Sequence, residues 1–151
     1  MASLNIRSVN ELIKFVIPLF ADEFNIVEGS NEAVSYFLYG GCYELAKVIN
    51  HYFPDSKYVV KKDYSHVAIL ENETIYDAYD FYEDWQLKKY NIPEKFYKKK
   101  IDDFYVTSKE EIDNFPVEFT RNDLIGENSV SDALIKEIDK IKRINVLKKE
   151  H

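Results

Sequence analysis

Residues 40–46 read Gly-Gly-Cys-Tyr-Glu-Leu-Ala, placing two of the chain's four glycines directly before its single cysteine. Adjacent glycines break one helical pattern and let another begin. Upstream, Ser30-Asn31-Glu32-Ala33 opens a short helix that runs to about Leu38. Downstream, Leu45, Ala46, Ile49 and Phe53 form an apolar stripe at helical spacing, so a helix is expected from Cys42 to about Tyr52, stopped by Pro54. The cysteine therefore opens a helix.

After Pro54 the hydrophobic period changes from 3.6 to 2. Lys57–Lys61 reads as a strand, and so does Ser65–Leu70 (Ser-His-Val-Ala-Ile-Leu). Glu71-Asn72-Glu73 is a polar turn, and Thr74–Ala78 returns as a third strand. With the turn centred on Asn72, Leu70 faces roughly Thr74 and His66 falls opposite Ala78 or close by, near Asp77 across the ladder; a one-residue register, not fixed by the sequence, decides whether both point to one face.

Further out, Ser8-Val9-Asn10-Glu11 is a capping box opening a first helix through Leu12, Val16, Leu19 and Phe20, which Pro18 should kink or end. Trp85–Tyr90 reads as helical and Ile101–Val106 as a strand. Ser108-Lys109-Glu110-Glu111 is a second capping box, opening a helix that Pro116 limits. Ser131–Leu147 is amphipathic, with Leu134, Ile138, Ile141 and Asn145 on one face. Helices, then strands, then mixed elements favour an α+β fold over an alternating α/β one. A single domain over 1–151 is expected, with its core at 30–82 and the C-terminal amphipathic helix at about 131–147.

Composition narrows the function. The chain has 151 residues and a net charge of −7, from 20 basic and 27 acidic side chains, which argues against a general nucleic-acid binder. One cysteine allows no internal disulfide, and with three histidines it makes a structural zinc site a poor fit. No apolar run nears the roughly 18 residues of a membrane span. The apolar segment Leu12–Phe20 carries Lys14 and Pro18 and reads poorly as a signal peptide. A cytoplasmic protein with no membrane partner is expected. Twelve tyrosines and ten phenylalanines are many for this length, and suit either a bulky core or a half-wet pocket.

Cys42, His66 and Asp77 together carry the residue types of thiol chemistry. The thiolate is the nucleophile, and a helix N-terminus favours it. An imidazole takes and returns the proton, and a carboxylate behind it fixes tautomer and orientation. The glycines before Cys42 would let a substrate backbone approach the sulfur. Asp80 is the reserve for Asp77. His51 lies two and a half turns along the helix, about 13 Å from Cys42, and reads as a helix C-terminal residue; His151 is terminal. The backbone N–H of Cys42 is one oxyanion donor, while Gln86, the chain's only Gln, lies after the site in sequence, and Tyr36 and Tyr39 read as packing residues. Lys98-Lys99-Lys100, with Lys88, Lys89 and Lys95, reads as a solvated face or a contact for an acidic partner.

Gly40-Gly41-Cys42-Tyr43-Glu44-Leu45-Ala46, His66-Val67-Ala68-Ile69 and Ile75-Tyr76-Asp77-Ala78 resemble the Cys-His-Asp core of the papain-like and transglutaminase-like cysteine hydrolase superfamily. The resemblance covers roughly Val34 to Asp80. It implies a helix with an N-terminal Cys packed on a small antiparallel sheet carrying His and Asp. The implied enzyme is a thiol hydrolase or acyl-transfer enzyme, acting on the amide or peptide bond of a protein or peptide substrate. Protease, deamidase and transglutaminase-like activities all fit, with catalytic Cys42, His66 and Asp77 and no metal or organic cofactor. Many relatives carry a Gly shortly after the Asp, where this chain has Asp80. The Gly-Cys start resembles the arylamine acetyltransferase motif too, but the chain is short for that family. The competing reading is a non-catalytic acidic binding, inhibitory or immunity-type protein on the same scaffold. Oligomeric state is not legible.

Overall fold

The computed structural model describes residues 6–26, 29–38, 41–114 and 130–149, with the side chains of the last segment described to 142. Helix α1 (Val9–Glu23) begins at Ser8, whose hydroxyl accepts the Glu11 N–H at 3.2 Å. Pro18 sits inside this helix and does not end it. The continuous buried face Leu12, Ile13, Val16, Ile17, Phe20 holds the helix together past the one lost backbone bond. Helices α2 (Ser30–Leu38) and α3 (Cys42–Tyr52) keep their expected bounds.

The sheet has four antiparallel strands in the order β3-β2-β1-β4. Strand β1 (Lys57–Lys61) lies between β2 (Val67–Glu71) and β4 (Phe104–Thr107), and β3 (Thr74–Tyr76) forms one edge. The β2–β3 register is one residue away from the expected one: Leu70 pairs with Ile75 and Glu71 with Thr74. The loop is the two residues Asn72 and Glu73, both at positive φ (49° and 65°), the pattern of a two-residue hairpin turn. Glutamate is an uncommon residue there, which is why three loop residues were expected.

Two strands are shorter than expected. His66 precedes β2 and Asp77 follows β3, where the chain turns into a 3-10 helix (Ala78–Phe81) capped by Asp77 itself. Ile101–Asp103 is likewise a 3-10 turn leading into β4. Short helices α4 (Asp84–Lys89), α5 (Glu94–Tyr97) and α6 (Lys109–Asp113) follow the hairpin, and α7 (Val130–Lys149) closes the described chain.

The core lies between one sheet face and the helices. Tyr58, Val60, Val67 and Ile69 pack with α1, α2, α3 and α7, while Val59, Ala68, Ile75 and Phe104 form a smaller cluster on the other face. Helix α3 lies against β2 and α7. Its first turn carries Glu44, fully buried, whose Oε1 accepts the Ser131 N–H at 3.1 Å and whose Oε2 pairs with Lys47 at 2.6 Å. A carboxylate on the first N–H groups of α7 answers both its orphan donors and its dipole. The Leu134 and Ile138 stripe of α7 is buried as its periodicity required; Asn145 lies outside the residues whose side chains are described.

Candidate functional site

Cys42 is the first residue of α3, 4% exposed. Gly41 caps the helix at φ −111°, so it does not need glycine for its dihedral. It needs glycine for space. A Cβ there would lie 2.4 Å from Cε2 of Tyr36, and the Gly41 N–H donates to the Tyr36 carbonyl at 2.9 Å. Tyr36 in turn stacks on Phe20 at 4.9 Å. The expected approach to the Gly41 backbone is therefore made by the protein's own Tyr36 ring, which fixes the chain just before the cysteine.

His66 is tethered by its carbonyl, which accepts the Lys61 N–H at 2.8 Å as the last rung of the β1–β2 ladder. Its ring Nε2 lies 3.0 Å from Asp77 Oδ2, and Cys42 is near enough to act on its charge. Burial works against a charged imidazole, but the bonds and charges of Asp77 and Cys42 outweigh it and push the ring's pKa up to about 9. The structure thus brings together the three residues singled out in the sequence, although neither His66 nor Asp77 is within a regular strand.

Asp77 is held from several directions. Its Oδ1 accepts the Tyr79 N–H at 2.9 Å and the Lys99 ammonium at 3.0 Å, while Oδ2 serves His66. Its own N–H donates to Asp80 Oδ2 at 2.9 Å. Complete burial would raise this carboxyl, but Lys99 and His66 reverse that and hold it at about 2. Asp80 does not touch His66. Its Oδ2 takes Lys99 at 2.8 Å, and its pKa is raised because burial and the neighbouring Asp77 outweigh the lysine.

Lys99 corrects the reading of the lysine run. Lys98 is exposed and pairs with Glu94 on its own helical turn, as a solvated face would. Lys99 is buried to 7% side-chain exposure, and its two carboxylate partners keep it charged against the cost of burial. Nothing in the local sequence separates the two, because the partners lie 19 and 22 residues away. His51, at the far end of α3, packs edge-on against Tyr52.

Beside this cluster opens a cleft of about 340 Å³, bounded by His66, Asp77 and Lys99 on one side and by Leu38, Tyr79 and Phe96 on others. Cys42 does not line it. The cysteine borders a second, much tighter pocket, too narrow for water, with Phe37, Val67, Tyr76 and Asp77. Among the described residues no group of three His, Cys, Asp or Glu side chains is placed to hold a metal ion. Nor is any described helix long and apolar enough to cross a membrane.

Fold and site together define an α+β domain built on a small antiparallel sheet, with a buried Cys-His-Asp-Lys cluster at its edge. The family model for Phage YunG-like proteins matches residues 21–120, well over half of the chain, and the chain belongs to that family. The matched region contains Cys42, His66, Asp77, Asp80 and Lys99. No curated protein and no solved structure matches the chain.

Proposed function

We propose that the protein is a cysteine-dependent acyl hydrolase or acyl-transfer enzyme with Cys42 as nucleophile, His66 as general acid and base, and Asp77 as the residue that orients His66. The carrying observation is the imidazole's position: one ring nitrogen 3.0 Å from a buried, charge-held carboxylate, with the helix-opening Cys42 near enough to act on its charge. With Nε2 committed to Asp77, Nδ1 is the nitrogen left for the sulfur. That order of Cys on a helix start, then His just before one strand and Asp just after its antiparallel neighbour, is the support for the papain-like and transglutaminase-like resemblance.

The chemistry follows from the pair. The thiolate attacks an amide carbonyl carbon, and the oxyanion takes the N–H of Cys42, which has no intrahelical acceptor. His66 gives its proton to the departing amine, and the C–N bond breaks to leave a thioester. A water then loses its proton to His66 as it attacks the thioester, releasing the acid and the thiol; an amine in place of water completes a transfer instead.

One observation favours the alternative of a non-catalytic binding protein: Cys42 is almost fully covered and stands on the narrow pocket, not the 340 Å³ cleft. Intact-mass spectrometry decides between them. Wild type incubated with peptide-amide electrophiles is expected to gain one adduct, which Cys42→Ala does not gain. Unmodified wild type, with Cys42→Ala retaining the protein's biological activity, would leave the binding protein.

A further inference from the structure

The open cleft carries a charge opposite to that of the whole molecule. Four lysines line it against two aspartates, in a chain of net charge −7. Lys99 is neutralised by Asp77 and Asp80. The other three, Lys61, Lys95 and Lys100, form no ion pair with a described residue, and only Asp103 faces them from the cleft wall. Positive charge is therefore gathered at one concave place, and apart from the nearness of Asp63 to Lys61 these three ammonium groups are held in no ion pair among the described residues. Natural surfaces that do this attract an anionic group and steer it inward.

Aromatic rings line the cleft beside these charges. Tyr79 and Phe96 stack at 6.1 Å with an 18° interplanar angle, and the Lys95 ammonium lies 5.2 Å from the centre of the Phe96 ring. Phe96 is 40% exposed. A cleft of about 340 Å³ is at the small end of ligand sites. It suits a short extended segment better than a folded surface. Its walls offer flat aromatic contact and ammonium groups together.

We propose that this cleft binds an acidic peptide segment, in which Asp or Glu carboxylates meet Lys61, Lys95 and Lys100 while a neighbouring side chain lies on Tyr79 and Phe96. The inference rests on the hydrolase reading for its orientation: His66 edges the cleft, so the segment would flank the amide delivered to Cys42.

The test is binding without turnover. A short labelled peptide alternating Glu and Tyr, and its isostere with Gln for Glu, are titrated into Cys42→Ala and into Lys95→Gln/Lys100→Gln in the same background. Amide NMR shifts locate the contact. The double lysine change is expected to weaken the acidic peptide roughly tenfold and leave the isostere unaffected. The acidic peptide's affinity should also fall with salt. Equal affinity for the two peptides, shifts that map away from residues 95–100, or equal competition by a single-stranded oligonucleotide would overturn the proposal. Acid-selective binding with no turnover by wild type would keep it and end the hydrolase reading. Turnover of neutral peptides with no acid preference would do the reverse.

Discussion

Replacing Asp77 by Asn removes one charge from the centre of the cluster while keeping its shape. The side-chain oxygen of Asn can still accept the Tyr79 N–H, so the turn after β3 is expected to persist. What is lost is the charge facing His66 and Lys99, at 3.0 Å each. An opposite charge this close shifts a partner's pKa by roughly 1–3 units, so His66 should titrate that much below its wild-type value of about 9. The Asp77 side gives the stability at stake. Its carboxyl moves from 3.8 to about 2 on folding, which corresponds to about 2 kcal/mol at neutral pH. That figure and the shift of His66 describe one contact from its two ends and do not add.

The signs differ at the two ends. Asp77 has a lowered pKa, so its contribution is present above pH 3.8 and is lost as pH falls through about 2. His66 has a raised pKa, so its contribution is full below 6.5 and is lost as pH rises through about 9. Wild-type stability should therefore decline across that alkaline window, and Asp77→Asn should flatten the decline. Urea unfolding at intervals from pH 5 to about 10, with NMR titration of the His66 ring, measures both. An unchanged His66 titration in Asp77→Asn would refute the electrostatic account of the cluster.

Lys99→Met leaves Asp77 and Asp80 facing each other without their shared cation; it should destabilise by about 3 kcal/mol, and adding Asp80→Asn should recover part of that in a double-mutant cycle measured by denaturation. Gly41→Ala drives a methyl into the Tyr36 ring and should cost roughly 1–3 kcal/mol, which Tyr36→Ala in the same chain should partly relieve, as read from melting temperatures. Glu44→Ala removes the buried acceptor of the Ser131 N–H and strands Lys47, so amide exchange should rise first at the start of α7, before the sheet is affected.

The sequence was legible where one local rule acts alone. The bounds of α3 follow from Gly-Gly, an apolar stripe and a proline, and β1 from alternation between turn signals. The meeting of His66 with Asp77 was legible because one hairpin joins them. The hairpin register was not, since a two-residue turn with Glu73 in the left-handed region goes against residue preference. Lys99 and Glu44 were also illegible. Each looks like an ordinary surface charge in its own segment, and each is buried only because partners distant in sequence meet it: Asp77 and Asp80 for one, the start of α7 for the other. The close fit of Gly41 to the Tyr36 ring was not legible either, because it depends on how the α2–α3 connection folds back on itself.

The central claim is that Cys42 is a reactive thiol paired with His66 and not an inert core residue. The rate of Cys42 alkylation by iodoacetamide at pH 6, in folded protein and in the same protein unfolded in urea, tests it most directly. An ordinary thiol, with a pKa near 8.5, is almost wholly protonated at that pH, so the unfolded chain sets the reference. The account predicts faster alkylation of the folded protein, with the advantage lost in His66→Ala. Slower alkylation of the folded protein than of the unfolded chain, unchanged by His66→Ala, would contradict it.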